Sequence, residues 1–200
     1  PQNSKILITG AGGMAGRVIV DAMLARGFDC IGLSSQTCPS GIPAANWRQT
    51  SIMDFPQLRE IVRESRPMAV VHAASSVFVN DCEKDSERAK IYDLHVSLTD
   101  ELTKLARECG SRLVYISTES VYDGKNPGLY RETDKTHPLN YYALTKLQGE
   151  EPVLAYERGV VFRTNILGWR TDGRPSFLEW VLDGLRKGEK RTMLTDVTFS

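Results

Sequence analysis

The chain has 200 residues, and its 25 Lys plus Arg balance 25 Asp plus Glu, so the formal net charge is zero. A chain of this length can bury one domain-sized core. Its charge balance gives no electrostatic ground for a nucleic-acid or anionic-membrane partner, and no apolar run approaches the length that spans a bilayer.

The opening stretch "PQNSKILITG" carries no basic segment followed by an apolar one, so no secretory leader is expected. Cys30, Cys38, Cys82 and Cys109 form no C-x-x-C pair and match no zinc spacing. Read as free thiols, they predict a reducing, cytoplasmic setting. His72, His95 and His137 are scattered, and no metal site is expected from them.

In chain order, "KILITG" is a short Ile-rich run ending in glycine and predicts a buried strand over 5–9. "MAGRVIVDAMLARG" sets Val18, Ala22 and Ala25 on one helical face, with Gly27 as a C-terminal stop. "FDCIGLS" predicts a second buried strand, and residues 35–51 a loop with a short strand. "DFPQLREIVRESRP" predicts a helix that ends before Pro67, and "MAVVHAA" a third apolar strand. Residues 84–110 have helical periodicity with a break expected between Tyr92 and Ser97. "RLVYIST" predicts a strand, 141–156 a helix, "GVVFRTN" a strand and "SFLEWVLDGLRKGE" a late amphipathic helix. Strands alternating with helices predict an α/β fold: a Rossmann-like, doubly wound parallel sheet with helices on both faces.

The first strand and helix are joined by "TGAGGMAGR", with glycines at 10, 12, 13 and 16. In that context each glycine of the Gly10-x-x-Gly13-x-x-Gly16 pattern has a use. Gly10 turns the chain, Gly13 lets a pyrophosphate approach the backbone, and Gly16 lets the helix pack close to the sheet. The N–H groups at Met14 and Ala15 then face the phosphates at the helix N-terminus. No acid follows the second strand to accept from a ribose 2′-OH; "LSSQ" offers Ser34 and Ser35 instead. Arg17 either adds positive charge for a 2′-phosphate or is a solvated surface residue. These residues predict a dinucleotide, with NADP(H) favoured and NAD(H) allowed.

"NYYALTKLQGE" places Tyr142 four residues before Lys146, on one helical face, while Tyr141 points about 100° away. An ammonium beside a phenol favours phenolate, which predicts a lowered Tyr142 pKa and a phenol able to exchange a proton with a carbonyl oxygen. Ser117 and Thr118, in "YISTESVYDG", fall at the C-terminal end of a strand, where open α/β sheets bind ligands. Tyr-x-x-x-Lys alone is a weak motif; the glycine turn and the strand-end hydroxyls strengthen it.

With "TGAGGMAG", "VVHAAS", "YISTESVYDG", "YYALTK" and "FRTNILG" in that order, the chain resembles an extended short-chain dehydrogenase/reductase. "STESVYDG", the series Tyr130, Glu132, Asp134, Pro138, Asn140 and Tyr142, and "KLQGE" make it most similar to the dTDP-4-dehydrorhamnose reductase branch. The resemblance implies reduction of a 4-keto nucleotide-sugar by NAD(P)H. It implies that Thr118 and Tyr142 contact the keto oxygen and that Lys146 holds the nicotinamide ribose and tunes Tyr142. It further implies Asp54 near the adenine, Ala73, Ala74 and Ser75 along the cofactor, and Glu119, Arg163, Thr164 and Asn165 near the substrate. Members of the family often pair as homodimers through helices that include the Tyr-bearing one. They also run on past the point where this chain stops, at "TDVTFS". The expected division is therefore 1–168 as the NAD(P)-binding domain and 169–200 as the beginning of a substrate-binding region.

Three departures bear on function. His95 falls where many relatives carry an Asn; it either keeps a hydrogen bond or proton relay, or has no catalytic role. Glu119-Ser120 replaces the Asp-Glu pair of 4,6-dehydratases, which removes the second acid that dehydration needs. No cysteine follows Ser117, which argues against 3,5-epimerising reductases. Two alternatives to the reductase stay open: a non-catalytic NADP-binding regulatory subunit, and a nucleotide-sugar epimerase with tightly held NAD.

Overall fold

The computed structural model describes residues 5–76, 79–126, 128–170 and 175–192. The "TDVTFS" stretch lies outside them. The elements are β1 (Lys5–Thr9), α1 (Met14–Ala25), β2 (Asp29–Ser34), β3 (Trp47–Gln49), α2 (Phe55–Ser65) and β4 (Ala69–His72). They continue with α3 (Val79–Cys82), α4 (Asp85–Tyr92), α5 (Leu98–Cys109), β5 (Arg112–Ser117), α6 (Tyr141–Leu154), β6 (Gly159–Arg163) and α7 (Phe177–Lys187).

The strands form one six-stranded sheet in the order β3-β2-β1-β4-β5-β6, and every neighbouring pair is parallel. Parallel pairing requires crossovers, which helices supply except between β2 and β3, where residues 35–46 make the connection with a single 3-10 turn. The order reverses between β1 and β4, so a crevice opens at their C-terminal ends, the place where such sheets bind ligands.

Alternation along the strands divides the core. Leu7, Leu33, Val70 and Leu113 point to the face covered by α2, α5 and α6, against Leu58, Val62, Leu102 and Val153. Ile6, Ile8 and Cys30 point to the other face, against Val20 of α1 and the Ile42–Trp47 segment. The successive residues of β1 thus serve opposite cores, which a fully buried parallel strand requires.

The expected break in the long helix is a five-residue π-helical turn, Asp93–Ser97, between α4 and α5. The helical hydrogen-bond ladder runs through it, and one extra residue per turn carries His95 into the interior, where it is fully buried. The four-residue α3 has no counterpart among the sequence expectations; it is too short to show a period.

Candidate active site

A cleft of about 570 Å³ lies over the C-terminal ends of β1, β4 and β5. Gly12, Gly13, Met14 and Ala15 line one side, Ala73 and Ser75 the floor, and Thr118, Glu119, Tyr142 and Lys146 the far wall. Thr164 and Asn165, just past β6, line its outer end. A second concavity of about 520 Å³ opens at the opposite end of the sheet beside Arg66, Arg112 and Arg158. Those arginines follow the C-termini of α2, α5 and α6, where cations complement the helix dipoles, and none of the predicted site residues is there.

The glycine turn has the geometry its spacing predicts. Gly10 has φ +68° and carries the Gly13 N–H on its carbonyl at 2.9 Å. A Cβ on Gly16 would collide with that same carbonyl, so the helix packs this close only with glycine. Helix α1 starts at Met14, after Gly13 as an N-cap without a side chain, and has no acid in its first turn, whereas Asp54, Asn140 and Ser176 cap α2, α6 and α7. The first N–H groups of α1 face the cleft and need an acceptor.

Around this turn the predicted residues divide. Ser34 ends β2 with its hydroxyl accepting from Gln36 N–H at 3.1 Å. The Gly12 Cα lies so near that a Cβ there would come within 2.5 Å of the Ser34 hydroxyl. Ser35 is exposed, and its carbonyl accepts from Gln49. Ala74 is buried beneath Gly10 and donates its N–H to Thr9 Oγ1 at 3.4 Å. Arg17 pairs with Asp21 at 2.9 Å and donates to the Ser40 carbonyl, which turns its guanidinium to the 38–42 loop and off the cleft lining. Asp54 accepts from Gln57 N–H at 3.2 Å as the α2 cap, and it too lies off the lining.

On the far wall, Asn140 caps α6 by accepting from Ala143 N–H at 2.8 Å, which sets the rotation of the helix. Tyr142 and Lys146 share its inner face. The Tyr142 phenol stands in the cleft wall beside Thr118 and Ser75. Burial raises its pKa above the ordinary value, opposed by the polar Thr118 and Ser75 side chains and aided by the Glu119 charge. This corrects the expectation of a phenol lowered by lysine. Lys146 turns its Nζ to the Ile116 carbonyl at 2.7 Å, with the Tyr115 ring 4.0 Å away. Burial pulls the Lys146 pKa down to about 7, against an opposing pull from Glu150. A phenol whose pKa is raised stays protonated at neutral pH, and on the cleft wall beside the strand-end Thr118 it can serve as an acid.

Arg163 is not free to meet a ligand: its guanidinium clasps buried Glu150 at 2.6 Å and Tyr122 Oη at 2.6 Å. Glu150 also accepts from Ser117 Oγ at 2.5 Å, so the ion pair braces β5, β6 and α6 behind Lys146. Sequence reasoning missed Glu150, Gln36, Ser76 and Arg170, the last three of which line the cleft. Glu150 lies one turn beyond Lys146, and that spacing could have flagged it. Gln36 stands two residues after Ser34, on the same side of the chain. Arg170 is placed by Glu179, whose carboxylate accepts from the backbone N–H groups of Arg170 and Ser176, and no local pattern announces that. Among the described residues no cluster of His, Cys, Asp and Glu could hold a metal ion, and no helix is long and apolar enough to cross a membrane.

The sheet order and the glycine-lined crevice define an α/β chain of the extended short-chain dehydrogenase/reductase kind. More specifically, the chain belongs to the family described as the RmlD substrate binding domain, whose model matches residues 4–198. Methionine adenosyltransferase 2 subunit beta of Bos taurus is 32% identical over 166 residues, 82% of this chain and 47% of that protein. The dTDP-4-dehydrorhamnose reductase of Aggregatibacter actinomycetemcomitans is 27% identical over 164 residues, 81% of this chain and 51% of that one. Among solved structures, a hypothetical dTDP-4-dehydrorhamnose reductase from Sulfolobus tokodaii superposes with a TM-score of 0.77 at 28% identity, over 92% of this chain and 63% of that chain. The chain spans about half the length of the curated relatives it matches.

Proposed function

We propose that the chain is an NAD(P)H-dependent reductase of a 4-keto nucleotide-sugar, similar to dTDP-4-dehydrorhamnose reductase, with NADP(H) favoured over NAD(H). What supports it most is one convergence: the Tyr142 phenol, with Thr118 and Ser75 beside it, stands in the same cleft as the uncapped start of α1.

The residues fit a dinucleotide. The N–H groups of Met14 and Ala15 would take its phosphates, with Gly12 and Gly13 leaving room. Gln36, on the lining with no carboxylate beside it and with Ser34 buried next to it, suits a ribose that carries a 2′-phosphate. Ala73 and Ser75 would flank the nicotinamide half. When bound, the reduced nicotinamide supplies hydride to the carbonyl carbon.

Within this reading Thr118 donates a hydrogen bond to the keto oxygen and polarises it. Tyr142 gives its phenolic proton to that oxygen as the alcohol forms. Lys146, whose pKa of about 7 lets it carry or release a proton near neutral pH, stabilises the phenolate that is left. Thr164, Asn165 and Arg170 would meet the outer part of the substrate, with residues from 169 onward beginning the substrate-binding region. The test is oxidation of NADPH and NADH by the full-length protein with dTDP-4-dehydrorhamnose and related 4-keto nucleotide-sugars. Consumption dependent on the sugar supports the reading, and none with any of them refutes it.

A second reading, a regulatory subunit that binds NADP without turnover, is favoured by the relatives at 32% identity that are named as a subunit of methionine adenosyltransferase. Co-purification with another enzyme, together with NADPH binding and no turnover, would select it. An epimerase with retained NAD would instead yield protein that carries NAD through purification.

A further inference from the structure

His95 is fully buried in the π-helical turn, and its surroundings fix where its proton sits. The Ser76 backbone N–H can only donate, and it points at His95 Nε2 from 3.2 Å. Nε2 is therefore the unprotonated nitrogen. The ring proton is on Nδ1, 2.8 Å from Thr145 Oγ1. Thr145 passes its own proton on to the carbonyls of Tyr141 and Tyr142, each at 3.0 Å. A directed path thus runs from the loop after β4, through His95, into the first turn of α6.

A parallel path runs through the second buried histidine. Thr99 donates to the His95 carbonyl at 2.6 Å, so its oxygen is left to accept from His72 Nε2–H at 3.1 Å. His72 Nδ1 then accepts from Thr9 Oγ1 at 2.7 Å, and Thr9 accepts from Ala74 N–H. The two imidazoles hold opposite tautomers, and a second proton on either would break a bond. Burial and the nearby Lys146 charge push the His95 pKa down to about 3 and that of His72 well below its ordinary value. The other groups facing His95 are Tyr142, Tyr115 and Ser75, none of them anionic at neutral pH. A proton relay through a charged imidazole is therefore closed, and what remains is geometry.

That geometry reaches the phenol. The His95 ring meets Tyr142 edge-on, with centroids 5.7 Å apart at 80°. Ser75 Oγ lies 3.0 Å from His95 Nε2, and Ser75 and Tyr142 line the same cleft, where the serine draws the phenol's pKa down. We propose that His95 is a positioning residue: as the Nδ1–H tautomer it ties the Ser75–Ser76 loop to α6, and through Ser75 it fixes the orientation of the Tyr142 phenol in the cleft. This rests on the reductase reading for its effect on turnover, but not for its effect on Tyr142 itself.

The test uses the full-length protein in three parts. Nitrogen-15 histidine spectra of the wild type should show His95 as Nδ1–H and His72 as Nε2–H, unchanged between about pH 5.5 and 8. The reverse tautomer at His95, or titration within that range, overturns the proposal. With tyrosine labelled at Cζ with carbon-13, His95→Phe and Ser75→Ala should both move the Tyr142 signal; a signal unmoved in both overturns it, whether or not the protein turns over a keto sugar. Where turnover is measured, each variant should lower kcat about tenfold, with the NADP(H) Kd within about threefold, and the double variant should be no worse than the poorer single one. His95→Gln, which keeps an acceptor and a donor, should recover part of the loss and covers the case in which His95→Phe does not fold. Additive losses, or wild-type kcat in His95→Phe, overturn the proposal.

Discussion

Lys146 and Tyr142 lie one helical turn apart, and the interior treats them differently. Burial disfavours the charged form of each, which pulls the ammonium down and pushes the phenol up. The lysine has a consequence for stability. Its folded pKa of about 7 is below the ordinary 10.5, so between those values the unfolded chain binds more protons. Stability contributed at this site therefore rises with pH above 7, and below 7 the full cost of the buried ammonium is present. Urea unfolding of the wild type and Lys146→Met at pH 6 and 9 should show the wild type gaining on the variant by on the order of 2 kcal/mol. An unchanged difference would contradict the buried charge. The pairing of these residues was legible because i,i+4 spacing is local. The direction of the Tyr142 shift was not, because it depends on what β5 and the Thr118 turn bury against it.

Helix α6 brings Tyr142 and Lys146 to the π-helical turn, and Gly149 is one of the places where the two elements touch. A Cβ there would collide with the His95 carbonyl and stand 2.7 Å from Tyr115 Oη. Gly149→Ala should cost about 1–3 kcal/mol, read as a lower Tm, and should lower kcat as well because the displaced helix carries Tyr142. Asn140→Ala removes the cap and should cost about 1 kcal/mol, with a smaller effect on turnover. The sequence periodicity anticipated α2 and α5 because each has an apolar stripe that a sheet must cover. Helix α1 forms as expected but buries Gly16 and Val20, while Val18 and Ala25 of the expected face are exposed. Helix α6 has no apolar stripe, since its buried face includes Thr145, Lys146 and Glu150. The periodicity marked the Tyr92–Ser97 region only as a break. A π-helical turn is one extra residue in a continuing helix and leaves no compositional trace. Helix α3, a single turn, leaves none either.

At the scale of the whole chain, the crevice exists because the strand order reverses between β1 and β4. The alternation of apolar runs with helical patterns was enough to anticipate a doubly wound parallel sheet. The cleft was only half legible. Its glycine turn and its Tyr-Lys pair are local patterns, whereas Gln36, Ser76 and Arg170 enter it from three separate loops. The same tertiary placement takes Arg17 and Arg163 away to carboxylate partners. Since the cofactor would bind the folded chain alone, NADPH at about 100 times its Kd should add about 2.7 kcal/mol of stability and raise Tm; NADH at the same concentration should add less. An equal or larger effect of NADH would contradict the assignment of Ser34 and Gln36 to a 2′-phosphate.

The central claim is that Tyr142 is the acid of a carbonyl reduction at this cleft. It is tested most directly by comparing wild type and Tyr142→Phe for NADPH oxidation with dTDP-4-dehydrorhamnose, alongside their NADPH affinities. The variant should lose about 10²–10⁴-fold in kcat while its Kd for NADPH stays within about twofold, because the phosphates would be held at the far side of the cleft, by the glycine turn. A variant that retains wild-type turnover would contradict it.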